Sequence, residues 1–155
     1  SRYEPEEKGV LIVYGSMYGN TETAAQALAA KLVEKGLNNV SVYDVSGTHV
    51  STLIAESFKY SNIVLASVTY NMGIFPPMHN YLEDMKALCL TNRKITIVEN
   101  GSWAPKCGSL MSDFVTKELK GMELVGNKFT VSSALKAENE ADMDSLAEEI
   151  INSMK

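Results

Sequence analysis

The feature that most constrains the fold is a series of short apolar runs separated by stretches of helical pattern. Residues 10–14 and 63–66 are continuously apolar, and residues 94–98 form a third run of strand-forming residues. Strands that helices cover on both faces have this composition. Residues 40–43 and 129–131 are shorter and less continuously apolar, which is typical of edge strands. The sequence therefore predicts five strands, of which the first, third and fourth are central.

Helical patterns fill the stretches between these strands. Residues 21–35 are rich in Ala and Leu and end before Gly36, a residue type favoured just beyond a helix C-terminus. Residues 48–58 are only weakly patterned. Apolar residues recur at helical spacing in three later segments, 78–89, 106–119 and 143–154. Alternating strands and helices require crossover connections. We therefore predict a three-layer α/β sandwich with a five-stranded parallel sheet in the order 2-1-3-4-5.

Length, charge and cysteine content limit the classes of function that this chain can have. The 155 residues fit one domain, which we place at residues 9–155, and we interpret the polar residues 1–8 as a linker or a remnant of a longer chain. A net charge of −5 without a basic run argues against nucleic acid and anionic membranes as partners. The two cysteines, Cys89 and Cys107, lack the spacing of a disulfide or zinc framework. We therefore expect a cytoplasmic protein without a metal site.

In a sheet of this order, ligands bind beyond the carboxyl ends of the strands, near the first and third strands. The first strand is followed by a loop that leads into a helix, with the residues Ser16, Met17, Tyr18, Gly19, Asn20 and Thr21. Free N–H groups and the positive end of the helix dipole make such a helix start an anion site. No Lys or Arg lies between Lys8 and Lys31, so neutral donors would hold a phosphate here. The same residue types also serve as caps and turns, and this loop alone does not decide between the two roles.

Two further loops follow the third and fourth strands. The second loop combines polar groups, an aromatic ring and a glycine, which suits a flat aromatic ligand: Thr69, Tyr70, Asn71, Met72 and Gly73. A connection that packs on itself is the alternative. The third loop has Asn100, Gly101, Ser102 and Trp103, the only tryptophan of the chain. A lone tryptophan is more often part of a core, but this one lies in a Gly-Ser turn at the ligand edge, which favours a binding role.

Together the three loops resemble those of flavodoxins. Residues 16–21 are similar to the flavodoxin phosphate loop, although Tyr18 stands where many flavodoxins have Thr or Ser. The runs 14–21 and 67–76 are similar to the flavodoxin domain of flavodiiron proteins (A-type flavoproteins), in which a Pro is common where Val68 stands here. The resemblance covers nearly the whole chain and implies the flavodoxin-like fold.

The resemblance implies FMN as cofactor. FMN carries the electron chemistry itself, so no residue is expected to act as an acid, base or nucleophile. The implied phosphate ligands are the side chains of Ser16, Tyr18, Asn20 and Thr21 and the amides of Met17 and Gly19. The implied lining of the isoalloxazine ring is Thr69, Tyr70, Asn71 and Gly73 on one side and Gly101, Ser102 and Trp103 on the other. In flavodoxins a peptide of the second loop rearranges when the ring is reduced, and Met72-Gly73 is our candidate because glycine tolerates both orientations.

A redox partner is also implied, either a diiron domain, a rubredoxin or a reductase. Flavodiiron proteins hold two irons with several His and carboxylates in a second domain, whereas this chain has only His49 and His79. It cannot complete oxygen or nitric oxide reduction alone. We therefore expect the flavodoxin module of a flavodiiron oxygen/nitric oxide reductase with the diiron domain absent, an electron-transfer domain whose parent protein is an oxidoreductase.

Several alternatives use the same fold. A stand-alone flavodoxin and a flavodoxin-like NAD(P)H:quinone oxidoreductase both bind FMN and stay open, and a binding module that has lost its flavin is a third alternative. A response-regulator receiver is rejected because Gly15, Ser16 and Thr69 stand where its acidic cluster and phosphorylated Asp would lie. An acyl hydrolase is unsupported because the chain has no Gly-x-Ser-x-Gly elbow.

Overall fold

The computed structural model describes residues 7–15, 20–37, 39–70, 73–74, 76–87, 93–100, 111, 114–117, 119, 122–125, 129–131 and 137–153. The strands are β1 (Glu7–Gly15), β2 (Val40–Asp44), β3 (Tyr60–Tyr70), β4 (Gly73–Ile74), β5 (Arg93–Asn100), β6 (Met122–Leu124) and β7 (Phe129–Val131). The helices are α1 (Asn20–Glu34), α2 (Val50–Lys59), α3 (Pro76–Ala87) and α5 (Ala137–Ser153). The helical residues 111 and 114–117 are called α4.

The main sheet is parallel and has the predicted order. β1 lies between β2 and β3, and β5 pairs with the other edge of β3. The outer edge of β5 pairs with two short strands, β6 near its start and β7 near its end. Since β6 and β7 together occupy the fifth position, the prediction of a five-stranded parallel sheet in the order 2-1-3-4-5 is confirmed.

Four strands are longer than the sequence indicated, β2 by a single residue, and two strands were not predicted. β1 begins at Glu7, inside the stretch interpreted as a linker, and the domain boundary itself stays a prediction. β3 and β5 run to Tyr70 and Asn100, so the prediction that residues 67–70 and 99–100 lie in loops is wrong. Both strands extend further because these residues pair with each other, as Val68 does with Asn100. β4 and β6 have only two and three residues, which is too short for a periodicity to show.

Both faces of the sheet are buried, as the continuous apolar runs required. Along β1, Val10, Ile12 and Tyr14 face one core with residues of α1 and α5. Leu11 and Val13 face the opposite core, which contains residues of α2, α3 and α4. This alternation explains why residues 10–14 of β1 are apolar without interruption.

Helix ends are also fixed by local bonds. The Gly36 N–H donates to the Val33 carbonyl (3.0 Å) and the Leu37 N–H to the Leu32 carbonyl (3.1 Å). These two bonds form a Schellman motif, in which Gly36 adopts φ +100°. The predicted end of the first helix at Gly36 is therefore confirmed. At the other face, His49 Nδ1 accepts from the Ser51 N–H (3.1 Å) and caps the start of α2.

Candidate functional site

The carboxyl ends of three strands lie side by side at one edge of the sheet. Gly15 at the end of β1 pairs with Ser67 of β3, and Ser67 pairs in turn with Glu99 of β5. Because neighbouring strands lie about 4.8 Å apart, these three residues lie within about 10 Å along the sheet. The sheet therefore brings together the places from which all three predicted loops depart.

The first predicted loop spans the short connection between β1 and α1. Four of its six residues lie outside the described residues: Ser16, Met17, Tyr18 and Gly19. Asn20 and Thr21 are the first two residues of α1. The free N–H groups and positive dipole end of α1 thus lie at the carboxyl edge of the sheet, where an anion site requires them. The roles of the individual side chains stay predictions.

The second predicted loop is anchored on a β-hairpin. Thr69 and Tyr70 belong to β3, and Tyr70 pairs with Gly73 of β4 in antiparallel register. Asn71 and Met72, which separate this pair in sequence, lie outside the described residues. The pairing therefore joins Tyr70 and Gly73, the two residues that flank Asn71 and Met72 in the sequence.

The third predicted loop begins at the end of β5. Asn100 is the last residue of β5 and pairs with Val68 of β3, one residue before Thr69. The structure thus places the start of the third loop beside the second. Three of its predicted site residues lie outside the described residues: Gly101, Ser102 and Trp103. Their contacts with a flavin stay predictions.

Tyr14 is a residue at this edge to which the sequence assigned no role. Tyr14 is only 8% exposed, and Glu22 is the acidic residue in the first turn of α1. Burial, followed by the negative charges of Glu22 and Asp44, raises the pKa of the Tyr14 phenol above its ordinary value of 10.0. The hydroxyl therefore stays protonated and remains a donor at neutral pH. In the sequence, this residue could have been noticed because Tyr14 comes just before the first loop and Glu22 is the third residue of the following helix.

A groove also opens on the opposite face, between α2 and α3. Its volume is about 450 Å³, and its lining includes Val45, Val50, Leu53, Glu83 and Asp84. Nothing in the sequence had indicated this groove. Within the described ranges, no three His, Cys, Asp or Glu side chains are grouped so that they could hold a metal ion. None of the helices described is both long and apolar enough to cross a membrane.

Fold and site geometry define the class of protein. A doubly wound parallel sheet whose strand ends converge beside a helix N-terminus binds a phosphate-bearing ligand at its carboxyl edge. The family model for flavodoxin matches residues 12–141. The chain therefore belongs to the flavodoxin family. This membership makes FMN the cofactor of the domain and electron transfer its function.

Three known proteins show what the chain is similar to. An anaerobic nitric oxide reductase flavorubredoxin of Aeromonas hydrophila is 26% identical over 145 residues, which cover 92% of this chain and 27% of that protein. The rubredoxin oxygen:oxidoreductase of Desulfovibrio gigas superimposes with a TM-score of 0.89 at 22% identity, over 97% of this chain and 37% of that one. A Streptococcus pneumoniae flavodoxin superimposes with a TM-score of 0.76 at 24% identity, over 93% and 98%. The chain spans 20–28% of the length of the curated relatives it matches.

The described residues fit an FMN group at this edge. A phosphate requires free backbone donors, and α1 begins at Asn20 directly beyond the end of β1. The two segments proposed to hold the ring follow β3 and β5, and the ends of these strands are neighbours through the pairing of Val68 with Asn100. The fold thus supplies both parts of the site at one edge.

Proposed function

We propose that this chain is the flavodoxin module of a flavodiiron oxygen or nitric oxide reductase. In this role it takes electrons from a redox protein and passes them to a diiron domain. The observation that carries the proposal is the 92% coverage of this chain by a protein named anaerobic nitric oxide reductase flavorubredoxin, most of which lies beyond the matched part. The two histidines of this chain are too few for the iron ligands, so the irons belong to another domain.

The proposed site residues form two groups, one that binds the phosphate and one that binds the ring. The phosphate is bound by the loop between β1 and α1, through Ser16, Met17, Tyr18, Gly19, Asn20 and Thr21. The ring is bound by the segments after β3 and β5, through Thr69, Tyr70, Asn71, Met72, Gly73, Asn100, Gly101, Ser102 and Trp103. FMN supplies the one- and two-electron chemistry when bound, and these residues bind and orient it. The convergence of the three strand ends and the start of α1 supports this assignment.

The proposed partners are a rubredoxin or a reductase as donor and the diiron domain as acceptor, in the cytoplasm. The names of the relatives support a rubredoxin-type donor, since they are a flavorubredoxin and a rubredoxin oxygen:oxidoreductase. The two cysteines without disulfide spacing favour a reducing compartment. The net charge of −5 favours a protein partner over nucleic acid.

The first experiment tests the cofactor. The visible absorption spectrum of the purified protein is recorded before and after FMN is added, and we expect flavin bands that shift on binding and bleach with dithionite. Thr21→Ala should weaken FMN binding by roughly tenfold, because it removes a phosphate donor. Thr52→Ala, at an exposed position of α2, is the matched control and should leave FMN affinity unchanged. A protein that takes up no FMN would refute the proposal.

The second experiment tests the electron donor. Under anaerobic conditions the FMN-loaded chain is mixed with reduced rubredoxin, and we expect the flavin bands to bleach within seconds. The same chain should neither oxidise NADH in the presence of a quinone nor consume nitric oxide without a diiron protein. Steady NADH consumption with a quinone would instead identify an NAD(P)H:quinone oxidoreductase.

A stand-alone flavodoxin is the second candidate. It is supported by the superposition on the pneumococcal flavodoxin, which has a TM-score of 0.76. Reduction of the bound flavin by rubredoxin distinguishes the two candidates. Failure of reduced rubredoxin to bleach the bound flavin, combined with rapid reduction by a flavodoxin reductase, would favour the stand-alone protein.

A further inference from the structure

The groove between α2 and α3 opens at the same edge of the sheet as the proposed FMN site. Its lining includes Val45, whose N–H donates to the carbonyl of Tyr14 (2.8 Å), the next-to-last residue of β1. The lining also includes Pro77, which follows Ile74 at the end of β4 by three residues. Three residues of chain span at most about 11 Å. The groove therefore lies beside the places from which the first and second predicted loops depart.

Much of the lining is apolar. Leu53 of α2 and Tyr81 of α3 are each 1% exposed and belong to the core of this face. The Tyr81 hydroxyl is bonded to the Ser57 hydroxyl, so the ring offers apolar surface to the groove. Val50, the first residue of α2, is 39% exposed. An apolar side chain from another molecule would cover Val50 and remove it from water, which is favourable. The volume of about 450 Å³ lies in the range of roughly 300–1,000 Å³ that is typical of binding pockets.

The charged residues of the groove have one sign. Glu83 is exposed and Asp84 is half-buried, and no Lys, Arg or His is among the described residues that line the groove. Glu83 lies 3.4 Å from Nε2 of His79. Asp84 takes part in none of the ion pairs between residues that the structure describes. The groove thus places an unpaired carboxylate beside an apolar surface.

This combination discriminates between classes of occupant. A second copy of the chain would bring its own net charge of −5, and nucleic acid would bring phosphates, so both would be repelled by the two carboxylates. A protein segment that carries an apolar side chain next to a Lys or Arg is complementary to both parts of the groove.

We propose that the groove docks a basic segment of the protein that exchanges electrons with FMN, in which an apolar side chain covers Val50 and an adjacent Lys or Arg pairs with Asp84. The inference rests on the proposed FMN site and adds the surface that selects the partner. Docking on this face holds the partner at the carboxyl edge of the sheet and leaves the face covered by α1 and α5 free.

The test measures electron transfer to cytochrome c, a basic haem protein used as the probe. The FMN-loaded chain is photoreduced without oxygen and mixed with ferric cytochrome c. One electron then passes from reduced FMN to the haem iron, and stopped-flow absorbance gives the second-order rate constant. Asp84→Asn should lower this constant about threefold at low ionic strength, the effect of one exposed ion pair, and the difference should vanish in about 0.5 M salt. Val50→Ser should lower it about threefold at both ionic strengths, because salt does not screen an apolar contact.

The chain offers matched controls at the end of α1. Val33 is 55% exposed and Glu34 is exposed, and neither lines the groove. Val33→Ser and Glu34→Gln therefore make the same chemical changes on the opposite face and should leave the rate unchanged. Ferricyanide, a small anion that needs no docking groove, serves as a second acceptor, and Asp84→Asn and Val50→Ser should not slow its reduction.

Three results would overturn the inference. The first is equal rates for the wild type, Asp84→Asn and Val50→Ser, or an equal slowing by the α1 variants. The second is an equal slowing with ferricyanide, which would trace the effect to the flavin itself. The third is a wild-type chain that binds FMN and does not reduce cytochrome c. A wild-type chain that binds no FMN would instead refute the FMN site, and the inference with it.

Discussion

Gly9 lies so close to Asn39 that a Cβ on residue 9 would stand 2.6 Å from the Asn39 carbonyl oxygen. The same carbonyl accepts a hydrogen bond from the Val10 N–H (2.8 Å), so it cannot move away without loss of that bond. A Cβ would also stand 2.8 Å from Cδ1 of the buried Tyr60. The chain before β2 is thus packed directly against the backbone of β1.

Gly9→Ala is expected to lower the free energy of unfolding by about 1–3 kcal/mol, the usual cost of forced overpacking. Urea denaturation measures this change. Gly47→Ala is the matched control, because its Cβ would meet only Asp44 at 3.7 Å or more. Equal stability of the two variants would contradict the close contact at Gly9.

Arg93 is 1% exposed and closes the end of α2. Its Nε donates to the Ser57 carbonyl (3.1 Å) and its Nη2 to the Phe58 carbonyl (2.8 Å). Arg93→Met leaves these carbonyls without charged donors and should destabilise the protein by about 2–4 kcal/mol. Lys31→Met removes one surface ion pair and should cost less than about 1 kcal/mol. Similar thermal midpoints for the two variants would show that Arg93 does not anchor α2.

Tyr81 should make stability sensitive to alkaline pH. Its phenol is fully buried and bonded to Ser57, and burial raises its pKa well above 10.0. Because the raised pKa belongs to the folded state, the stabilisation is fully present below the unfolded-state pKa near 10 and is lost as pH rises above it. The free energy of unfolding should therefore fall by about 1.4 kcal/mol per pH unit from this residue above about pH 10. In Tyr81→Phe the decline should be shallower by that amount, and equal slopes in urea titrations would contradict the assignment.

Gly73 should affect the redox potential of bound FMN. Its backbone pairs with Tyr70, and the Met72-Gly73 peptide is the proposed one that rearranges on reduction. Gly73→Ala restricts the rearrangement, so we expect the midpoint potential to fall by roughly 20–40 mV, the equivalent of about 0.5–1 kcal/mol for one electron. Spectroelectrochemical titration measures the potential, with Gly47→Ala as control. An unchanged potential in Gly73→Ala would contradict the proposed rearrangement.

The architecture could be predicted from the residues alone. Apolar runs such as 10–14 and 63–66 identified central strands because a strand that is buried on both faces has apolar residues at successive positions. Gly36 identified the end of α1 because a positive φ is a local requirement. The order of the strands followed from the rules that govern crossover connections. The three loops could be assigned to one edge for the same reason.

Contacts between residues that are far apart in the chain depend on how the segments pack together. The sequence did not indicate that Tyr70 pairs with Gly73, that β6 joins β7 in the fifth position, or that the charged Arg93 is buried. Each of these contacts depends on which segment lies alongside in space. The pattern of apolar residues indicates which residues are buried. It does not indicate which residues they contact, because those contacts form between segments far apart in the chain.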